Sequence, residues 1–116
     1  MRQKAQQGNA EAQFILGKMH KNVSGDEEKA VEWYRKAAKQ GHAGAQEDLG
    51  GMYANGEGVP EDDEETRKWF SMAITQGHPK DQWDVNAQYI VGLMYANGDG
   101  VPEDDEQAGK WFRKAA

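Results

Sequence analysis

The stretch Met52-Tyr-Ala-Asn-Gly-Glu-Gly-Val-Pro-Glu-Asp-Asp-Glu64 returns forty-two residues later as Met94-Tyr-Ala-Asn-Gly-Asp-Gly-Val-Pro-Glu-Asp-Asp-Glu106, with Glu57 changed to Asp99. The match runs back to Ala45-Gln46 and Ala87-Gln88 and forward to Trp69-Phe70 and Trp111-Phe112. A shorter copy precedes both, in Ala12-Gln-Phe-Ile-Leu-Gly-Lys-Met19 and Lys29-Ala-Val-Glu-Trp-Tyr-Arg-Lys-Ala-Ala38. Periods of about 20–50 residues mark solenoids, whose units are too small to bury their apolar faces alone and stack on neighbours. Function is therefore to be sought on a surface.

Each unit reads as two helices, A and B. In the second unit Ala45, Leu49 and Met52 follow the i, i+4, i+7 spacing of one apolar stripe. Helix A stops at Asn55-Gly56, where glycine can take the left-handed conformation that closes a helix. Proline in Gly58-Val59-Pro60 blocks continuation, and Val59 is expected to tuck into the core. Helix B then starts behind Asp62 with Glu65, or Asp104 with Gln107, at capping-box spacing. That accounts for the acidic run Glu61–Glu65 as helix-start chemistry, and its spacing is not that of a calcium-binding EF-hand loop.

Composition excludes several function classes. A net charge of −6 argues against nucleic acid, where Lys and Arg must neutralise phosphates. Apolar runs are far short of a membrane span, so no membrane insertion is expected. The absence of cysteine removes disulfides, thiolate catalysis and cysteine-ligated zinc. Met1-Arg-Gln-Lys-Ala-Gln-Gln7 is too polar for a secretory signal, which leaves the compartment open. His42 and His78 follow Gln-Gly at equivalent positions and read as repeat geometry, while His20 replaces a recurrent tyrosine and is expected to pack beneath a shortened loop. No metal or cofactor is indicated. Asn22-Val-Ser24 is a glycosylation sequon, with meaning only in a secreted eukaryotic protein.

The pattern Ala-x-Ala-Gln-(aromatic)-x-Leu-Gly-x-Met-Tyr-Ala-Asn-Gly-x-Gly-Val-Pro-x-Asp, followed by Val-Glu-Trp-Tyr-Arg-Lys-Ala-Ala-x-Gln-Gly-His, resembles the Sel-one-like repeat (SLR), a relative of the tetratricopeptide repeat. The resemblance covers nearly the whole chain. It implies an all-α fold, a right-handed superhelix of antiparallel helix pairs that holds partners on a concave face, as adaptors and scaffolds do. The tetratricopeptide repeat itself fits less well, because its two helices meet in a tighter turn than Asn55–Glu61.

On this reading residues 1–8 are the remnant helix B of a preceding repeat, 9–42 repeat 1, 43–84 repeat 2 with an inserted turn at 78–84, and 85–116 a truncated repeat 3. Unit one has 14 residues from Met19 to Trp33 against 17 from Met52 to Trp69, so its A-to-B loop should be shorter. Both ends look open, and the chain reads as a fragment of a longer array. The last helix B would expose Trp111 and Phe112 and favour weak self-association there.

The candidate binding surface is the helix A stripe that the core does not use. Its members are Glu11, Ile15 and Lys18 in unit one, Gly44, Asp48 and Gly51 in unit two, and Asn86, Ile90 and Leu93 in unit three. Their chemistry varies among units, as a stripe reading a protein or peptide partner would, although simple exposure or packing between units would also produce variation. Trp33, Trp69 and Trp111 recur at one repeat position and should be core. Trp83 lies in the insert, where packing and partner contact are both open. Catalysis finds no support, since Ser24 and Ser71 lack a lysine three residues on and no nucleophile-elbow or zinc-protease motif occurs. β-Lactam binding or hydrolysis, which the resemblance brings in as a rival, therefore has no motif behind it.

Overall fold

The computed structural model describes residues 8–116, so all but the last residue of the expected remnant helix lies outside the described residues. Among them are six α-helices and no strand: α1 (Ala10–Met19), α2 (Glu27–Lys39), α3 (Ala43–Asn55), α4 (Asp63–Thr75), α5 (Val85–Asn97) and α6 (Asp105–Ala115). The odd-numbered helices are the A helices and the even-numbered ones the B helices.

Side chains at the helix starts satisfy amides that the helix leaves unpaired. Asn9 Oδ1 accepts from Ala12 N at 2.8 Å and Asp26 Oδ1 from Lys29 N at 3.2 Å. Asp62 Oδ1 accepts from the amides of Glu64 and Glu65, and Asp104 Oδ1 from that of Gln107. Glu65 does not complete the box. Its carboxylate accepts from Trp69 Nε1 at 3.1 Å. At the other ends, Gly56 (φ 67°) and Gly98 (φ 70°) close α3 and α5 in the left-handed region, as the Asn-Gly pairs require.

The stripe Ala45, Leu49 and Met52 is fully buried. It packs with Ala30, Val31, Tyr34, Ala37 and Ala38 of α2 and with Trp69 of α4, and Val59 is drawn against the same cluster. α3 is thus held from the preceding unit and from its own. Within a pair, glycine permits close approach: a Cβ on Gly50 would stand 2.5 Å from the Phe70 ring. Trp33 departs from its repeat-mates, being half-buried against Ala12 and Leu16 with Lys36 Nζ 4.6 Å from its ring centroid.

Unit one closes its short loop by continuing α1 into a π-helical turn, His20–Ser24, that ends at Gly25 (φ 69°). His20 is half-buried there, and its carbonyl accepts from Asp26 N.

The insert is the larger departure. After Pro79 it makes a 3-10 turn over Lys80–Gln82 and sends Trp83 inward. That indole is 3 % exposed. It lies edge-on to Phe70 and to Trp111, each at 5.1 Å between centroids, and Nε1 donates to the His78 carbonyl. This wedge decides two open points: Trp83 is core rather than a partner contact, and Trp111 is core as its recurrence implies, sealed by the insert to 3 % exposure rather than open at the end of the array. Phe112 alone of that pair stays half-buried, beside Tyr89.

Buried glutamines at one repeat position register each unit. Gln13 and Gln46 Oε1 accept from Gln40 and Gln76 Nε2 at 2.8 and 2.6 Å. Gln46 Nε2 donates to the Ala38 carbonyl, and Gln88 Nε2 to the carbonyl of Lys80 in the insert. Gln88 Oε1 has no hydrogen-bond partner among the described residues.

Candidate partner-binding face

The unused A-helix stripe does not form one groove. Glu11, Lys18, Gly44 and Asp48 come together around a cavity of ≈ 640 Å³ between α1 and α3, with Phe14, Glu47 and the insert residues His78 and Gln82 on its walls. Ile90 and Leu93 line a separate recess of ≈ 270 Å³ with Arg67 and Met94, between α4 and α5. Asn86 is exposed and its amide reaches Asn55 Oδ1 at 3.4 Å. Ile15 is half-buried, and Gly51 faces open space. Trp83, buried in the core, is no part of the face.

The first cavity is built from acid–base pairs that span the unit boundary. His42 begins α3, its Nδ1 accepting from Ala45 N, while Nε2 stands 2.7 Å from Glu11 Oε2 on α1. Lys18 Nζ lies 3.7 Å from Asp48 Oδ2 and 4.9 Å from the Phe14 ring centroid. Gly44 has no side chain to fill the space: a Cβ there would meet Phe14 at 3.1 Å.

Sequence reasoning missed Glu47. It is 5 % exposed, with Oε1 3.8 Å from His78 Nε2. Burial, reinforced by the charge of Asp48, pushes its carboxyl up to about 9. Burial likewise raises Asp48, against the pull of Lys18 and Lys21, and lowers His78. The two neighbouring carboxyls, Glu47 and Asp48, are thus both held towards the uncharged form on the wall of the cavity. A signal existed in the repeat: Glu47 stands where the other units carry Phe14 and Tyr89. A carboxylate in an aromatic slot is out of pattern, and perturbed titration in a cavity marks candidate functional positions. His78 and Gln82 reach the same cavity from the insert, a long-range consequence that spacing does not encode.

Among the described residues no three His, Asp or Glu side chains gather as metal ligands would. No helix among them is long and apolar enough to cross a membrane.

Comparison with known proteins places this architecture. The Sel1 repeat family profile matches residues 10–42, 43–78 and 85–116. A Sel1 repeat protein from Oxalobacter formigenes superimposes with a TM-score of 0.72 at 31% identity, covering 98% of this chain and 85% of that one. A protective antigen present in uropathogenic Escherichia coli strains, displaying an SLR fold, gives 0.71 at 38% identity over 98% of this chain and 24% of its own. An exopolysaccharide production negative regulator from Rhizobium leguminosarum bv. viciae is 42% identical over 60 residues, 52% of this chain. The chain spans 22% of that regulator's length.

Proposed function

The chain belongs to the Sel1 repeat family, and we propose on that premise that it is a non-enzymatic interaction scaffold that holds a peptide or helix of a partner protein on the face formed by α1, α3 and α5. The observation that carries this reading is the ≈ 640 Å³ cavity in that face, walled by Phe14, paired charges and the buried carboxyl of Glu47. Such a surface offers an aromatic wall and convergent polar groups, the ingredients of specific docking. The concave placement implied by the family would present it to a partner lying along the array. The regulator among the relatives is in keeping with a scaffold's role, though what that protein regulates is its own.

Gly51→Glu is the cleanest test. The position opens to solvent, so a glutamate adds bulk and charge to the face while improving helix propensity by about 0.5–1 kcal/mol. Capture of native partners by the tagged chain in its source cells, quantified by mass spectrometry, should fall at least several-fold for Gly51→Glu and for Leu93→Glu, which is 39% exposed in the parent. Capture unchanged in both, with thermal midpoints at the parent's, contradicts the proposal. Ile90 is a poorer probe, because it packs against the core.

A second reading is favoured by one observation. Tyr89, Phe112, Ala115 and Ala116 surround an apolar recess of ≈ 350 Å³ at the end of the last unit, and Tyr89 is 52% exposed. Weak self-association through this end gives a concentration-dependent mass in sedimentation; a constant monomer mass counts against it. Turnover of a chromogenic β-lactam would overturn the non-enzymatic part.

A further inference from the structure

Where unit three meets unit two, two polar groups lose the partners that their repeat-mates have. Trp69 Nε1 donates to Glu65, four residues back on α4. Trp111 has Gln107 at that place, and its Nε1, on a residue 3 % exposed, has no hydrogen-bond partner among the described residues. Tyr53 OH accepts from Arg35 of the preceding helix B. The residue matching Arg35 in the next unit is Ser71, whose hydroxyl donates instead to the Gly100 carbonyl, so Tyr95 lacks the arginine that Tyr53 has. Trp111 and Tyr95 both line one cavity of ≈ 440 Å³, opened where the insert spaces the two units apart and walled also by Lys80, Gln107 and Asp104, with the Trp111 Nε1 atom itself buried. Lys80 Nζ sits 4.9 Å from the Trp111 ring centroid.

A buried indole N–H without an acceptor costs free energy that a ligand can recover. Four residues on its wall carry donors, namely Trp111, Tyr95, Gln107 and Lys80. Asp104, the acid on its wall, is committed to capping α6 through the Gln107 amide, where the helix start offsets its charge. The vacant group in unit three is the carboxylate that Glu65 supplies in unit two. We propose that this cavity binds a carboxylate of a partner peptide, which takes the place of the missing glutamate at Trp111 Nε1 and pairs with Lys80. The two oxygens of a carboxylate can meet both donors, and charge-assisted bonds of this kind are the stronger ones. The carboxylate comes from a peptide C-terminus or from an acidic side chain. This site does not rest on the α1–α3–α5 face, and Gly51→Glu leaves it unchanged.

The indole N–H itself is the readout. In the ¹⁵N-labelled chain, N-acetyl-glycylglycine supplies a terminal carboxylate, N-acetyl-aspartic acid amide a side-chain one, and N-acetyl-glycylglycine amide neither. The Trp111 indole signal, assigned by its loss in Trp111→Phe, should move downfield and saturate with a carboxylate probe at least ten-fold more tightly than with the neutral amide. Whichever acid binds more tightly identifies the source. Lys80→Gln should weaken binding about ten-fold. Gln107→Glu should restore the bond that Trp69 makes, raise or maintain the thermal midpoint, and abolish the titration. An indole signal unmoved by both acids, moved equally by the amide, or still titrating in Gln107→Glu overturns the proposal.

Discussion

The two junctions of this array are built differently from nearly the same repeat. Between units one and two a short Gly41-His42 turn lets α2 lie directly on α3, with Arg35 bonded to Tyr53 and Glu11 and Lys18 paired to His42 and Asp48. Between units two and three the insert intervenes, Trp83 fills the space between Phe70 and Trp111, and the Arg–Tyr bond is absent because Ser71 replaces arginine. Recurrent residues thus make the helix pairs, and departures from recurrence decide how pairs meet. In a solenoid, stability is close to a sum of unit and interface contributions, so the two junctions should fail separately.

The largest effect is expected at the wedge. Trp83→Ala removes a buried aromatic from between two others and should cost about 3–5 kcal/mol, against about 1 kcal/mol for Arg35→Ala at the first junction. Chemical denaturation of the two variants provides the comparison, and equal losses would erase the distinction. Helix-pair contacts come next. Gly50→Ala drives a methyl into the buried Phe70 ring and should cost about 1–3 kcal/mol, whereas Gly92→Ala meets Phe112, which is half-buried and can yield, so its penalty should be smaller. A reversed order in the denaturation midpoints would mean that the last pair is as tightly confined as the second.

The last effect is a pH dependence where Glu47 of α3 meets His78 of the insert. With Glu47 raised to about 9 in the folded chain, the native state binds the extra proton, and stability declines as pH rises from the ordinary glutamate range towards 9. His78, lowered by burial, acts in the opposite direction, losing stability as pH falls below the usual histidine value. Glu47→Gln, which copies the uncharged carboxyl, should flatten the alkaline decline and raise the thermal midpoint near pH 8. Parallel thermal-midpoint profiles for parent and variant would show that Glu47 is not the group responsible.

The helix pairs were legible from sequence because their determinants are local and recur. Ala45, Leu49 and Met52 announce the stripe, Asn-Gly the stop, Asp62 and Asp104 the start, and each occurs where spacing places it. Trp83 was not legible, since a single residue outside the repeat has no second copy to compare, and its partners Phe70 and Trp111 are brought to it by stacking. The same holds for Trp111, expected to be exposed because the repeat alone offered nothing to cover it. Of the A-helix stripe, Glu11, Lys18, Gly44 and Asp48 share a cavity, but Glu47, which lies outside that stripe, is the most buried residue of its wall.

Hydrogen exchange resolved along the chain tests most directly whether the insert, rather than direct helix stacking, secures the third unit. In Trp83→Ala the amides of α5 and α6 should lose protection on the order of 100-fold or more while those of α2 and α3 keep the parent's rates. Loss of protection spread evenly over all six helices, or confined to the insert itself, would contradict the account.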